Sequence, residues 1–158
     1  MKNPVLEYRK FKSGIVSVNT LVIGTGAAAL NAAVALHRMG VTDILILSEN
    51  RKGGTSRNAG SDKQTYYKVS LSGDSADSGF SMAQDLFSGR CMHGDIALCE
   101  AQGSAKAFMN LVNLGVPFPE NEFGAFPGYK TDHDPKARAT SAGPYTSRMM
   151  VEALEAEV

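Results

Sequence analysis

Glycine and alanine recur near the start of the chain in the pattern G-x-G-x-x-A, over Gly24-Thr25-Gly26-Ala27-Ala28-Ala29. The first glycine allows a tight turn, and the second lets the backbone approach a ligand without a Cβ in the way. The final alanine lets a helix pack closely on the strand before it. A pyrophosphate would then bind to free amides at the helix N-terminus, where the helix dipole favours an anion. This fingerprint turn predicts a dinucleotide site.

An acidic residue follows the fingerprint turn at about the distance that a ribose-binding carboxylate requires. Glu49 lies 25 residues after Gly24, against roughly 20 in typical dinucleotide sites. A carboxylate there accepts hydrogen bonds from a ribose and disfavours a 2′-phosphate. Asn50, directly after it, is assigned to the same site. The fingerprint alone leaves three alternatives, which are NAD, FAD and a glycine turn with a purely structural role.

The elements that would position these residues are predicted from the same region. Residues 19–23 (NTLVI) predict a short buried strand, and residues 27–39 predict a helix that ends before Gly40. Residues 44–47 (ILIL) are apolar throughout, as in a parallel strand buried on both faces. The fingerprint therefore lies between a strand and a helix, which is the context that a dinucleotide site requires.

Further elements are predicted along the rest of the chain. Residues 51–77 are rich in Gly, Ser, Thr, Asn and Asp, which predicts a long functional loop with at most a short element within 66–71. A helix is expected over residues 80–87, and its apolar side would consist of Phe80, Ala83 and Phe87. Asp95 is predicted to cap a longer helix, and Thr146 a last one. The proline-rich stretch between these two helices predicts a loop.

These stretches together resemble one family, the flavoprotein subunits of fumarate reductase and succinate dehydrogenase, with L-aspartate oxidase and soluble fumarate reductases. The resemblance rests on the fingerprint with Glu49, on residues 53–61 (GGTSRNAGS) and on Asp85-x3-Gly89-x4-Gly94-Asp95. It extends over residues 138–154, where the matching positions are Arg138, Ala142, Thr146, Met150 and Leu154. It implies an α/β fold, the N-terminal part of a Rossmann-like, glutathione-reductase-type FAD-binding domain whose sheet is incomplete in this chain.

The resemblance implies FAD as the cofactor. Residues 53–61 look like the family's segment that wraps the flavin diphosphate and lies along the isoalloxazine ring, where glycines let the backbone pass close to a flat ring. The FAD-contacting residues implied in this segment are Gly54, Thr55, Ser56, Asn58, Ala59, Gly60 and Ser61. The alternative interpretation of residues 53–61 is a solvated Gly/Ser loop that does not contact FAD. The family has a second glycine after Gly60, in the region that Ser61 and Asp62 occupy here, and Asp62 is either a substitute contact or a surface charge.

The mode of FAD attachment follows from one departure from the family. Its membrane-bound members attach FAD covalently through a histidine in this segment. The matching position here is about Thr55, and no histidine lies between His37 and His93. The resemblance therefore implies FAD that is bound non-covalently.

A reaction is implied as well. Phe118, in Gly115-Val116-Pro117-Phe118, would lie near a small dicarboxylate substrate and the flavin, with a role as a core aromatic as the alternative. Arg138 and Arg148 are candidates for binding carboxylates. The family's main substrate-binding arginines and histidines and its proton donor have no counterpart in this chain, so no catalytic acid is assigned.

We therefore expect the FAD-binding portion of an oxidoreductase that moves a hydride between flavin and a small dicarboxylate, acting on CH–CH bonds. The alternatives are a non-catalytic nucleotide-binding or assembly module and an NAD-linked Rossmann protein. Residues 1–18 are expected to form an N-terminal extension, and residues 19–158 the N-terminal portion of the FAD domain, without capping domain or return segment. We expect the functional protein to include an electron-transfer partner, a second copy of the chain or a missing remainder of the chain.

Composition narrows the range of partners. Sixteen Lys and Arg balance sixteen Asp and Glu, so no overall field attracts nucleic acid. No apolar stretch approaches the ~20 residues of a spanning helix, and the first fifteen residues lack an apolar signal core, so the expected location is cytoplasmic. The candidate metal ligands Cys91, His93 and Cys99 match no familiar zinc spacing, even with His133 added, and no metal is expected.

Overall fold

The computed structural model describes residues 5–8, 11–14, 16–61, 64–71, 76–131 and 134–158. Two residues considered above, Asp62 and His133, lie outside these ranges. The strands are β1 (Val5–Tyr8), β2 (Phe11–Gly14), β3 (Thr20–Ile23), β4 (Ile44–Leu47), β5 (Tyr66–Tyr67) and β6 (Ala139–Thr140). The helices are α1 (Ala27–Arg38), α2 (Thr55–Asn58), α3 (Gly79–Ser88), α4 (Gly94–Asn113) and α5 (Thr146–Glu157).

The predicted strand, helix and strand are confirmed. β3 and β4 pair in parallel, with Thr20 opposite Ile44 and Ile23 opposite Leu47, and α1 is the crossover between them. Burial of both strand faces is not observed, because Ile23 is 77% exposed and Leu47 is also exposed, while Ile46 packs on the core. Side chains alternate between the faces of a strand, and among the described residues no element covers the second face. The other two sheets are the antiparallel pairs β1–β2 and β5–β6.

The main core joins α1, α4, α5 and the segment between the last two helices. Its buried members are Leu30, Phe108, Leu111, Val116, Phe118, Phe126, Val151 and Leu154. α4 ends at Asn113, and Gly115, two residues beyond it, takes φ +90°, a conformation that glycine adopts without strain. Apart from the two-residue β6, the described residues between α4 and α5 form the predicted loop.

The predicted apolar side of α3 is confirmed for Ala83 and wrong for Phe80 and Phe87. The two phenylalanines are exposed, and the helix buries Met82 together with Ala83. These two side chains pack against small alanines of α4, where a phenylalanine would hold the helices apart.

Both predicted caps are displaced by one or two residues. Asp95 lies in the first turn of α4, whose N-cap is His93, so its carboxylate is near the helix dipole without capping. Thr146 is the first residue of α5, and its hydroxyl donates to the carbonyl of Gly143 at 2.6 Å and accepts from Ala142 N–H at 2.9 Å. Within the described ranges, no helix is both long and apolar enough to cross a membrane.

Candidate functional site

The fingerprint turn has the geometry that its residue types predict. Gly24 takes φ +111°, which a residue with a side chain adopts only under strain. Its N–H donates to the carbonyl of Leu47 at 2.7 Å, which fixes the turn to the end of β4. A Cβ built on Gly24 would lie 3.9 Å from Cβ of Ala29, so the start of α1 and the end of β3 are in close contact.

The N-terminus of α1 leaves amide groups available. Gly26 is the N-cap, no side chain caps the helix, and the first turn carries no acidic residue. The first helical hydrogen bond runs from Leu30 N–H to the Gly26 carbonyl at 3.1 Å. The structure assigns no hydrogen-bond partner among the described residues to the N–H groups of Ala27, Ala28 and Ala29. Such amides, at the positive end of a helix dipole, are suited to an anion.

Glu49 lies beside this turn. Thr25 Oγ1 is 3.2 Å from Oγ of Ser48 and 3.3 Å from the carbonyl oxygen of Asn50, and these two contacts span Glu49. The fingerprint turn is therefore held to the residues that flank Glu49, and Glu49 itself is exposed. An exposed carboxylate next to free helix amides is the arrangement that a ribose followed by a pyrophosphate would use.

The next turn of the chain is shaped by its own amide side chains. Oδ1 of Asn50 accepts from Lys52 N–H at 3.0 Å, and its carbonyl accepts from Gly53 N–H at 2.9 Å. Nδ2 of Asn58 donates to the carbonyls of Lys52 and Gly54, at 3.0 and 2.9 Å. Both asparagines were predicted to contact the cofactor. Here they order the loop backbone, and a cofactor contact for either stays a prediction.

The two glycine-rich segments meet at Gly26 and Gly54. Gly54 takes φ +91° and precedes α2, the short helix that the sequence did not predict. A Cβ built on Gly54 would lie 4.0 Å from both N and Cα of Gly26, and one built on Gly26 would lie 3.5 Å from Oγ of Ser56. We call this narrow junction of Gly26, Gly54 and Ser56 the glycine cradle. Thr55, Gly60 and Ser61 are exposed around it, and Ala59 is half-buried.

Ion pairs attach the far side of α2 to α5. Arg57 bonds Glu152, with Nη1 3.1 Å from Oε1, and also pairs with Glu155. Glu155 pairs with Arg51 as well, and Glu152 with Arg148 at 2.9 Å. Hydrogen bonds from these arginines lower the pKa values of both glutamates, chiefly from Arg148 for Glu152 and from Arg51 for Glu155. The sequence reasoning missed Arg57, although the two glutamates, three positions apart on one helix, are a usable signal for a cationic partner.

Phe118 lies in the core. It is 6% exposed, and its ring centroid is 4.6 Å from that of Phe108 and 6.1 Å from that of Tyr66. Burial in this cluster raises the pKa of Tyr66 to about 12, with a smaller effect from the charge of Glu100. The packing is that of the core aromatic considered as the alternative, and a substrate contact of Phe118 stays a prediction.

Arg138 is already occupied by carboxylates of this chain. Its fully buried guanidinium bonds Asp77 through Nε at 2.9 Å and Nη2 at 2.8 Å, and Asp85 through Nη1 at 2.7 Å. The guanidinium also donates to Asp134, to the Tyr67 hydroxyl and to Ser81 Oγ. These bonds, first of all those with Asp77, raise the pKa of Arg138. The idea that Arg138 binds a substrate carboxylate is therefore wrong for this conformation.

The candidate metal ligands do not form a site within the described residues. Cys91, His93 and Cys99 are exposed on and before the start of α4. In the described ranges, no three His, Cys, Asp or Glu residues are grouped so that they could hold a metal ion.

The sequence model of one family, described as "FAD binding domain", matches residues 19–156. The chain belongs to this family. The match confirms the FAD-binding α/β fold and FAD as the cofactor that the resemblance implied. The residues present fit FAD, because the free amides of α1, an exposed carboxylate and the glycine cradle lie side by side. No curated protein sequence matches the chain.

Solved structures share the fold. Sdh1 of Mycobacterium smegmatis, in complex with UQ1, has a TM-score of 0.77 and 17% identity, over 89% of this chain and 23% of its own. FrdA of the E. coli quinol fumarate reductase has a TM-score of 0.71 and 17% identity, over 89% and 24%. A 3-ketosteroid-Δ4-(5α)-dehydrogenase of Rhodococcus jostii has a TM-score of 0.65 and 19% identity, over 89% of this chain and 35% of its own. This chain thus spans about a quarter of the first two.

Proposed function

We propose that this chain is the FAD-binding portion of an oxidoreductase that transfers a hydride between the flavin and a small dicarboxylate such as fumarate or succinate. The observation that carries the proposal is the glycine cradle, where Gly54 of the second segment abuts Gly26 of the fingerprint. Two adjacent glycine backbones present a surface without Cβ atoms, on which a large flat ligand with a diphosphate can lie, and this surface is beside amides without a hydrogen-bond partner among the described residues.

Each part of the site has a proposed task. The N–H groups of Ala27, Ala28 and Ala29 bind the pyrophosphate, and Gly24 and Gly26 give it room. Glu49 and Asn50 bind the ribose end. The segment proposed to hold the flavin consists of Gly54, Thr55, Ser56, Asn58, Ala59, Gly60 and Ser61. FAD, when bound, supplies the hydride acceptor and donor, while the chain orients it and excludes water.

The dicarboxylate is proposed from two sources. The resemblance over residues 115–118 and 138–154 is to fumarate reductase and succinate dehydrogenase flavoproteins. The solved relatives include a quinol fumarate reductase, although a 3-ketosteroid dehydrogenase also shares the fold. Phe118 is the residue of this chain proposed to lie near the substrate.

The remaining groups are proposed to lie outside this sequence. Because the chain spans about a quarter of two relatives, we propose that residues 19–158 form the N-terminal portion of the FAD domain after an extension over 1–18. Substrate-binding arginines and histidines and the proton donor then belong to a longer parent chain or a second chain. An electron-transfer partner and a cytoplasmic location complete the proposal.

The visible spectrum of the purified protein tests the cofactor and its attachment. Yellow protein, or colourless protein that takes up added FAD in equilibrium dialysis, is the expected result. Acid denaturation should release all flavin into the supernatant, because no histidine is available in the flavin segment for a covalent bond. Flavin that stays on the precipitate contradicts non-covalent attachment, and failure to bind FAD contradicts the proposed function.

Fumarate reduction by reduced viologen tests whether this chain alone contains the groups that turnover requires. The FAD-saturated 158-residue chain should show negligible turnover, because transition-state binding needs groups around the reacting centre that this chain lacks. A longer parent chain should turn over. Robust turnover by the short chain would show that its own residues supply the proton and the substrate contacts.

A further inference from the structure

Arg57 is buried in an unusual way. It lies within the segment proposed to hold the flavin, between Ser56 and Asn58, yet its side chain is only 9% exposed. A guanidinium is rarely buried unless carboxylates and hydrogen bonds offset its desolvation. Its two terminal nitrogens bond Glu152 and Glu155 of α5, while Nε is buried with no hydrogen-bond partner in the part of the chain that the structure describes. A buried polar atom without a partner costs free energy of folding, so a gain in stability is a poor explanation for the burial of Arg57.

The short helix α2, which carries Arg57, depends on tertiary contacts for its position. α2 is a single turn of four residues, and helices much shorter than about twelve residues are marginal without tertiary contacts. On one side α2 meets the fingerprint turn, where Ser56 faces Gly26 across the glycine cradle. On the other side it meets α5, through the ion pairs of Arg57.

The other cations near these glutamates are poorly suited to the same task. Arg51 and Arg148 pair with Glu155 and Glu152, but their side chains are 78% and 55% exposed. Exposed ion pairs contribute little and are screened by salt. Arg57 is the buried link, and it bonds both carboxylates at once.

We propose that Arg57 is a positioning residue for FAD. Its two bonds to Glu152 and Glu155 anchor α2 on α5 and so set the gap between Gly54 and Gly26 on which the cofactor is proposed to lie. The inference rests on the proposed function, because it assigns a role at that same site. It also gives α5 a part in cofactor binding, although α5 contributes no residue to the proposed contacts.

The affinity for FAD in three variants and in wild type tests this role. The variants Arg57→Met, Glu155→Gln and the double variant are compared with wild type by equilibrium dialysis against FAD and against ADP. Each single variant should raise the dissociation constant for FAD by about tenfold, as expected for a lost charge-assisted bond. The double variant should lose little more than either single one, because both changes break the same link. ADP, whose proposed contacts lie on the fingerprint turn and Glu49, should change by less than about threefold.

Arg148→Gln is the matched control. It removes an exposed partner of Glu152 and leaves Arg57 paired, so FAD affinity should stay at the wild-type value. Arg57→Lys should recover part of the affinity, since an ammonium bonds one carboxylate as a point charge but not two as a fork. If Arg57→Met does not fold, Arg57→Lys and Glu155→Gln carry the comparison.

Several results would overturn the proposal. They are wild-type FAD affinity in Arg57→Met, fully additive losses in the double variant, or an equal loss of ADP binding, which would indicate general destabilisation. A wild-type chain that binds no FAD overturns the proposed function instead. In that case, amide hydrogen exchange of residues 53–60 in the FAD-free protein tests whether the ion pairs anchor α2 on α5. An exchange rate that Glu155→Gln does not increase would contradict the anchoring.

Discussion

The backbones of Gly26 and Gly54 lie so close that a Cβ on Gly54 would be 4.0 Å from the amide nitrogen and Cα of Gly26. Gly54 lies 28 positions after Gly26 in the chain. The parallel pairing of β3 with β4 brings the two together, since each glycine follows one of the paired strands. A substitution of Gly26, whose φ is not positive, should therefore affect cofactor binding without affecting the core.

Gly26→Val should abolish binding of FAD and ADP while the chain stays folded. The position takes φ −80°, which any residue adopts, and a Cβ there would make only ordinary contact with Ser56. The branched side chain would instead fill the place where the pyrophosphate approaches. Equilibrium dialysis and circular dichroism measure binding and folding. Gly103→Ala, within α4 and with open space around it, is the control, and it should add about 0.5 to 1 kcal/mol of stability without changing binding.

Gly60→Ala should weaken FAD binding several-fold at unchanged melting temperature. No atom of the described residues lies within 4 Å of a Cβ at Gly60 and its φ is not positive, so the described structure tolerates alanine there. Gly54→Ala should differ, because φ +91° costs a side chain about 1 to 2 kcal/mol and the fold is strained as well. Unchanged FAD affinity in Gly60→Ala would remove this glycine from the proposed flavin segment.

Glu49→Gln should weaken FAD binding by about 1 to 2 kcal/mol, because a charge-assisted bond to the ribose becomes a neutral one. The exposed Glu122, which lies in the loop after α4, provides the control, and Glu122→Gln should bind FAD like wild type. Titration with NADP separates the alternatives. A Glu49→Gln protein that prefers NADP to FAD would show a nicotinamide-type site.

Arg138→Met should destabilise the fold by about 3 to 5 kcal/mol, since it leaves buried carboxylates without their cation. Asp77 and Asp134 are themselves buried around this guanidinium, and Asp85 is partly buried. Chemical denaturation monitored by circular dichroism gives the free energy of unfolding. A loss below 1 kcal/mol, roughly that of an exposed ion pair, would contradict the buried cluster.

Asp77 should make the fold sensitive to acid. Burial acts to raise the pKa of Asp77, but hydrogen bonds from Arg138 and from the N–H groups of Ser70 and Ser78 outweigh it and lower the pKa to about 2. The unfolded value is about 4, so this carboxylate stabilises the fold above about pH 4, and the contribution is lost as the pH falls towards about 2.

The variant Asp77→Asn checks this dependence. Its melting temperature should be lower than that of wild type at pH 7, and the difference should shrink as the pH falls from about 4 towards about 2. A difference that stays constant across this range would mean that the charge of Asp77 is not what stabilises the fold.

The strand, helix and strand of the site could be predicted from the sequence alone. Apolar runs over 20–23 and 44–47, an alanine-rich stretch and glycines at the turns are local signals, and each limits the backbone wherever it occurs. The fingerprint and Glu49 follow the same local logic and indicate a dinucleotide. FAD and the family were implied by the resemblance, which also needed residues 53–61 and the later motifs.

Only the tertiary structure decided which faces and which charges meet. α3 buries Met82 rather than Phe80 because the small alanines of α4 lie opposite it. Arg138 gathers aspartates that lie as far as 61 positions away, and Arg57 reaches α5 across 95 positions. Such partners leave no local pattern, since an ion pair depends on the distance in space between two charges and not on their separation along the chain.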